Sequence, residues 1–182
     1  MHKSLIIGAC VALLSSCLPN VEAAETKGSG KADATSSILI KASPRAVWKA
    51  IKLQRTQDPE IAYSKVIEDD GDSNLLEQKF SNIPFLGSVT AVTKQHELVN
   101  KHIDYSLVRS DKFKALEGAW DLTPVNGGKE TMLNLSSHLD IGVPFSGLFI
   151  RATAQKKLDR RLGQVKAIAE REQAHIAATG GE

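Results

Sequence analysis

Residues 113–141 read FKALEGAWDLTPVNGGKETMLNLSSHLDI, and this stretch decides the fold. Two sets of its residues recur at every second position, which is the spacing of side chains on one face of a β-strand. The sets are Leu116, Gly118, Trp120 and Leu122, and then Thr131, Leu133, Leu135 and Leu139. Pro124 is expected to end the first strand because it has no N–H, and Asn126-Gly127-Gly128 permits the positive φ angles of a tight turn. The stretch therefore predicts two long antiparallel strands joined by a turn.

The apolar spacing becomes helical after Pro144 and stays helical almost to the C-terminus. Apolar residues then recur at steps of three and four, at Leu148, Phe149, Leu158, Leu162, Val165 and Ile168. This pattern predicts one long helix that begins near Ser146. Ala152 and Ala154 keep the inner face of the helix small, which favours a space beneath it. A sheet with one apolar face that is closed by such a helix forms a cup.

The rest of the chain supplies a first strand, a helix and a meander of strands. Ser37–Ala42 alternates, and Ser43-Pro44 then provides a helix N-cap followed by proline at the first helical position. Asp58-Pro59 repeats that signal and predicts one further helical turn. Candidate strands follow at Tyr63–Glu68, Asn74–Ser81, Ser88–Leu98 and Lys101–Arg109. The sequence thus predicts an α+β fold: a curved antiparallel sheet of about seven strands wrapped around a long C-terminal helix, with a short helix pair after the first strand.

Composition excludes several classes of function. The 182 residues carry a formal net charge of +2, with 24% charged and 5% aromatic residues. Nucleic-acid binding is not favoured, because it needs a concentrated basic face interleaved with stacking aromatics. Both cysteines, Cys10 and Cys17, lie in the first twenty residues. The domain that follows therefore has no internal disulfide and no thiolate metal site.

The N-terminus predicts export by one of two routes. An apolar run from Leu5 to Leu14 is too short for a membrane span and suits a secretory signal peptide. Small residues at Val21-Glu22-Ala23 suit cleavage before Ala24. Alternatively, Leu14-Ser15-Ser16-Cys17 resembles the lipobox of bacterial lipoproteins, in which the cysteine is lipidated. We expect the protein in the periplasm or anchored to the outer membrane of a Gram-negative bacterium.

These signals divide the chain into four parts. Residues 1–23 form the signal peptide, or residues 1–16 form a lipoprotein signal ahead of Cys17. Residues 24–35 are rich in small and polar residues and are expected to form a flexible tether. Residues 36–175 form the domain, and residues 176–182 are expected to be a disordered tail.

Positive evidence for catalysis is absent from the sequence. No Ser or Cys lies on an elbow beside a base, and no Gly-rich loop precedes a helix to hold phosphate. Glu117 and Asp121 alternate with Trp120 and should point outward. His96, His102 and His138 lie on separate strands without the spacing of a metal site, so no metal and no cofactor is predicted. Tyr105 and His138 are the remaining catalytic candidates.

The order of elements resembles the START-like, or SRPBCC, superfamily of helix-grip proteins. The residues that carry the resemblance are ILIKASPRAVWKAI at 38–51, the stretch 116–141 and the closing helix. The resemblance spans about residues 36–172 and is closest to the coenzyme Q-binding and polyketide cyclase/dehydrase-like branch. Members of the family often carry an aromatic-rich segment after the first helix. This chain departs from that pattern, because Tyr63 is the single aromatic residue in residues 53–66.

The resemblance implies that the cup binds a hydrophobic small molecule, such as a lipid or a quinone-like compound. The expected wall consists of Phe80, Ile103, Tyr105, Leu107, Leu116, Gly118, Trp120, Leu133, Leu135, Leu148, Phe149 and Ala152. A cyclase or dehydratase that uses the same cavity is one alternative, and a ligandless interaction module of the cell envelope is another. The basic residues Lys156, Lys157, Arg160 and Arg161 are either a solvated helix face or, together with a lipidated Cys17, a contact with a membrane surface.

Overall fold

The computed structural model describes residues 31–142 and 147–178, without the side chains of residues 147 and 148. The strands are β1 (Lys31–Ile40), β2 (Ile61–Asp69), β3 (Ser73–Ile83), β4 (Gly87–Leu98), β5 (His102–Ser110), β6 (Ala115–Val125) and β7 (Glu130–Asp140). Helix α1 (Pro44–Gln57) follows β1, and helix α2 (Gly147–Ala178) closes the described part of the chain. The strands form one antiparallel sheet in the order β1-β7-β6-β5-β4-β3-β2. The predicted α+β helix-grip fold is confirmed.

The β6–β7 hairpin has the expected register. Trp120 pairs with Leu135 and Leu122 with Leu133, and all four side chains are buried. The prediction that Pro124 ends the strand is wrong, because β6 continues to Val125. Leu122 donates its N–H to the Lys101 carbonyl on the β5 side at 2.8 Å. The nitrogen of Pro124, two residues after Leu122, faces the same side but lies beyond the end of β5. Proline therefore removes no ladder hydrogen bond at this position.

Helix α1 begins as the sequence indicates. Ser43 caps it by accepting the N–H of Ala46 at 3.4 Å, and Pro44 is the first helical residue. The second helix of the predicted pair is absent from this described segment. Asp58 instead accepts the N–H of Glu60 on its side chain at 3.0 Å and the N–H of Ile61 on its carbonyl at 2.9 Å. This turn leads directly into β2.

Two expected domain boundaries differ from those in the structure. Strand β1 begins at Lys31, so residues 31–35 of the expected tether belong to the sheet, and α2 extends to Ala178, into the expected tail. Ala32 and Ala34 alternate with exposed residues; they pair with β7 and are buried in the two apolar clusters beneath α2. Their small side chains gave this strand the composition of a linker. The expected signal peptide and Cys17 lie outside the described residues.

The core lies between α1, α2 and the concave face of the sheet. One stripe of α2 is buried, consisting of Ile150, Leu158, Leu162, Val165 and Ala169. It packs against α1 and against residues of β6 and β7, among them Leu133 and Leu135. A second apolar cluster around Phe80, Val89 and Phe113 fills the opposite end of the cup. Within the described part of the chain, no helix is long and apolar enough to cross a membrane.

Candidate ligand-binding site

Two cavities lie beneath α2. The first, here called the inner cavity, lies between both helices and strands β2 to β6 and has a volume of about 70 Å³. Its apolar walls are Ile51, Ile61, Leu76, Ile103, Leu116 and Trp120. Its polar walls are Gln54, Arg55, Gln78, Thr93, Gln95, Tyr105 and Arg161. This volume exceeds the 10–15 Å³ or so that one water needs but is well below the roughly 300–1,000 Å³ of a drug-sized pocket.

The second, here called the outer cavity, lies beneath the N-terminal turns of α2 and has a volume of about 50 Å³. Its wall is almost entirely apolar and includes Ile83, Pro84, Leu139, Ile141, Phe149 and Ile150. Phe149 and Phe85 are both about half exposed, and their rings meet edge-on with centroids 5.9 Å apart. Phe85 has a φ of 67°, an uncommon backbone conformation for a bulky residue. An exposed aromatic pair therefore stands beside an apolar cavity.

Tyr105 lies across Gly118 on the concave face. The two residues are paired between β5 and β6, and the Tyr105 hydroxyl donates to the Ser136 carbonyl at 3.4 Å. A Cβ atom at residue 118 would overlap the Ser136 carbonyl oxygen and lie 2.5 Å from the Tyr105 hydroxyl oxygen. Glycine is therefore required here to admit the tyrosine ring. Burial raises the pKa of Tyr105, so its phenol stays protonated near neutral pH.

Strand β4 presents polar side chains to the inner cavity. Arg55 of α1 donates from Nη1 to Gln95 Oε1 at 3.4 Å. Burial lowers the pKa of Arg55, and the carboxylate of Glu97 opposes that shift.

Thr93 is only 3% exposed, and its Oγ1 has no hydrogen-bond partner among the described residues. A buried hydroxyl that stays unpaired costs about 1–3 kcal/mol, so Thr93 favours a polar group in the cavity beside it.

Acidic residues of the α1–β2 turn hold α2 over the inner cavity. Glu60 accepts from Lys157 Nζ and from Arg160 Nη1, each at 2.7 Å. These contacts, with that of Arg160 first in importance, lower the pKa of Glu60 to about 2. The fully buried carboxylate of Asp58 lies 3.5 Å from Arg160 Nη2 and from Arg161 Nε. It also accepts a hydrogen bond from Gln54 Nε2 at 2.9 Å.

These ion pairs overturn the interpretation of the basic run as one free surface. Lys157, Arg160 and Arg161 are partly buried and face the carboxylates of Asp58 and Glu60. Lys156 is exposed. Since the turn that carries both acids lies about 100 residues earlier in the chain, the helix pattern alone gave no sign of this pairing. The expected membrane contact through these four residues therefore has no support in the structure.

The structure divides the expected wall residues between the cavities and the packed core. Ile103, Tyr105, Leu116 and Trp120 line the inner cavity, and Phe149 lines the outer one. Phe80, Leu133 and Leu135 are buried in the core clusters, Leu107 packs against the second cluster, and Gly118 lies beneath Tyr105. The side chain of Leu148 is outside the description.

Ala152 does not face the cup. It is exposed, because the buried stripe of α2 passes through Ile150, Ala154 and Leu158. A residue two positions from that stripe lies about 200° around the helix, on its far side. Ala154 lines the outer cavity instead.

The two catalytic candidates are not brought together. Tyr105 lines the inner cavity, whereas His138 lies on the other face of the sheet, where its Nδ1 is 2.7 Å from Asp33 Oδ1. His102 is on that outer face too, with Nδ1 2.6 Å from Asp121 Oδ1. Among the described residues no group of three or more His, Cys, Asp or Glu side chains could hold a metal ion.

Sequence reasoning missed the polar residues of the inner cavity. Gln54 is three residues beyond Ile51 on the buried face of α1, and Thr93 and Gln95 continue the buried alternation of Val89 and Ala91 in β4. These polar residues occupy positions where the apolar periodicity predicts a core residue. That mismatch was the signal available in the sequence.

The seven-stranded sheet closed by α2 is the helix-grip fold of the START-like superfamily. The chain belongs to the family described as polyketide cyclase / dehydrase and lipid transport, whose model matches residues 31–170. No curated protein matches the chain.

Solved structures share the fold at low identity. One is a protein of Thermus thermophilus, with 17% identity and a TM-score of 0.59, covering 82% of this chain and 99% of that one. The ZhuI aromatase/cyclase of Streptomyces sp. R1128 gives 12% identity and a TM-score of 0.62, covering 84% and 99%. A START superfamily protein of Mycobacterium smegmatis gives 17% and 0.60, covering 79% and 98%.

Proposed function

We propose that this protein binds a small, largely hydrophobic molecule, lipid or quinone-like, beneath α2. The observation that carries the proposal is the apolar outer cavity beside the half-exposed Phe85 and Phe149. Membership of a family described by lipid transport as well as cyclase activity supports the same function. Each buried methylene of a ligand would contribute about 0.8 kcal/mol.

Both cavities are smaller than such a ligand, so binding requires α2 to move relative to the sheet. The N-terminal turns of α2 are suited to this movement. In these turns, Ile150 and Ala154 contact apolar side chains. Further along the helix, the Gln155 amide donates to the Thr35 carbonyl at 3.1 Å, and Lys157 binds Glu60. Among the described residues of α2, the polar contacts with β1 and the α1–β2 turn thus begin at residue 155, and a movement of the turns before it would leave these contacts intact.

A matched pair of substitutions on α2 tests this proposal. Ala154→Phe fills the outer cavity, whereas Ala152→Phe adds the same side chain to the exposed face. Binding of the neutral fluorescent probe N-phenyl-1-naphthylamine should be lost in Ala154→Phe and retained in Ala152→Phe. Circular dichroism establishes that both variants are folded, and Ala154→Leu replaces the first if it is not.

Two results would contradict the proposal: no binding of the probe by the parent protein, or equal binding by both folded variants. Native mass spectrometry of the purified protein gives an independent measurement, because a carrier should retain a hydrophobic compound from the expressing cell.

Catalysis has weaker support from the geometry. A cyclase or dehydratase needs an acid or base at the ligand, and of the two candidates only Tyr105 lines a cavity. Its raised pKa makes it a hydrogen-bond donor rather than a base. Binding is therefore the function that we propose.

Export and membrane attachment through Cys17 are part of the proposal and depend on the sequence. The length of chain between Cys17 and the start of β1 at Lys31 allows a separation of at most about 50 Å. A domain held that close could exchange ligands with the bilayer. Acyl mass on Cys17 and partition into the detergent phase are expected, and Cys17→Ser should abolish both. A soluble, unmodified chain beginning at Ala24 would exclude the lipid anchor and leave an exported soluble binding protein.

A further inference from the structure

We infer that the ligand carries an acceptor oxygen, as a carbonyl or carboxylate, and that this head group binds in the inner cavity with the hydrocarbon portion toward the outer cavity. The inference rests on the proposed function and assigns the chemical class and orientation of the ligand. It depends on the polar groups that face the inner cavity: Thr93, Arg55 and Arg161.

Thr93 supplies the most specific observation. Its side chain lines the cavity, the residue is 3% exposed, and its hydroxyl has no partner within the described chain. A hydroxyl buried beside a void can donate to an oxygen that occupies the void. The cost of leaving it unpaired is then recovered when the ligand binds.

The charges around the cavity favour an acceptor over a basic group. The two charged residues in its described wall, Arg55 and Arg161, are both cationic. The carboxylate of Asp58 is shared between Arg160 and Arg161, and it lies 3.5 Å from Arg161 Nε without forming a hydrogen bond to it. Glu97 lies near Arg55 but is paired with Lys52. An ammonium head group would meet two cations without a free carboxylate, whereas a carbonyl or carboxylate oxygen would meet donors.

The outer cavity fixes the direction of the hydrocarbon portion. Leu139, Ile141 and Ile150 line it, and its most polar described neighbours are the aliphatic-stemmed Lys157 and Thr153. The Thr153 hydroxyl already donates to the Phe149 carbonyl of its own helix at 2.9 Å. Leu116 of the inner wall pairs with Leu139 of the outer wall, so the two cavities are neighbours. Polar donors in one and hydrocarbon in the other suit an oriented amphiphile.

The experiment is displacement of N-phenyl-1-naphthylamine by four ten-carbon compounds: decanoate, 2-decanone, decylammonium and 1-decene. The proteins are the parent, Thr93→Val and, as the matched control, Thr123→Val, because Thr123 is exposed on β6 and lines neither cavity. In the parent, decanoate or 2-decanone should compete better than decylammonium and 1-decene. Thr93→Val should weaken the oxygen-bearing competitors about fivefold and leave 1-decene unchanged. Thr123→Val should leave the competition of all four compounds unchanged.

A second measurement tests Thr93 without a ligand. Replacing an unpaired hydroxyl by a methyl group of the same shape should raise the thermal midpoint of the free protein by about 3 °C. Arg55→Met then identifies the head group: a loss larger for decanoate than for 2-decanone indicates a carboxylate, and equal losses indicate a carbonyl. Either result supports the inference.

Failure of this inference differs from failure of the proposed function. If the parent binds the probe but decylammonium and 1-decene compete as well as decanoate and 2-decanone, the head-group assignment is wrong and the hydrophobic site stands. Unchanged competition in Thr93→Val has the same meaning. If the parent does not bind the probe at all, the proposed function itself is wrong.

Discussion

Neutralising Glu60 should destabilise the protein in a way that depends on pH. Its carboxylate lies between Lys157 and Arg160 of α2, with both oxygens engaged at 2.7 Å. Glu60→Gln keeps the size of the side chain and removes the charge. The two cations then face a neutral amide, and the turn that joins α1 to β2 loses two ion pairs with α2.

The size of the effect follows from the pKa. The two basic residues lower the pKa of Glu60 from 4.5 to about 2. A shift of that size corresponds to about 3 kcal/mol if the site were shielded from water. The side chains of Glu60 and Arg160 are 20% and 38% exposed, so solvent screening reduces the contribution to about 1–2 kcal/mol. Because the pKa is lower in the folded state, this stability is fully present above pH 4.5 and disappears as the pH falls toward 2.

Urea unfolding of the parent and of Glu60→Gln, at several pH values between 2 and 7, measures this difference. Glu68→Gln is the control, because Glu68 is exposed on β2, and its free energy of unfolding should change by less than about 0.5 kcal/mol. The Glu60 variant should be less stable at pH 7 and approach the parent near pH 2. A loss at pH 7 no greater than that of the control, or a constant difference across the range, would refute the argument.

Three further substitutions test the packing. Trp120→Ala should lower the free energy of unfolding by about 3–5 kcal/mol because it truncates a buried aromatic residue, and a near-neutral effect in urea unfolding would contradict its place on the concave face. Gly118→Ala should cost about 3 kcal/mol because its Cβ would overlap the Ser136 carbonyl and displace Tyr105. Gly163→Ala provides the contrast: it lies in α2 with open space around it, so it should gain about 0.5–1 kcal/mol, and a loss of stability there would show that the helix surface is not free.

The alternation of apolar and polar residues was sufficient to predict the sheet and which of its side chains are buried. Period-two alternation placed Trp120 and Leu135 on the buried face and His138 on the opposite face, as observed. The cap and proline at Ser43-Pro44 placed the start of α1. These features depend on neighbours within a few residues, so the sequence contains them directly. The missed start of β1 shows the limit, because Ala32 and Ala34 are buried by tertiary packing in two apolar clusters that include residues of the distant α2.

The site was less predictable because it depends on contacts between distant segments. Asp58 and Glu60 meet α2 residues about 100 positions later, and no periodicity in either segment indicates that they pair. The same cause made the basic run look like a free surface. Ala152 was placed on the wrong face because the sequence at the start of α2 does not show which side of the helix is buried. The structure shows that Ile150 and Leu158 are on the buried side.

The polar groups of the inner cavity argue for a specific ligand more strongly than the apolar ones do. Any helix-grip protein needs apolar side chains between sheet and helix for stability, so Ile103 and Trp120 are explained by folding alone. Thr93 is not, because its buried hydroxyl is left without a hydrogen bond among the described residues. Valine, which has the same shape, would remove that cost. Thr93 lines the inner cavity, and the apolar outer cavity beside Phe149 is its neighbour, which is the arrangement that a ligand with one polar end requires.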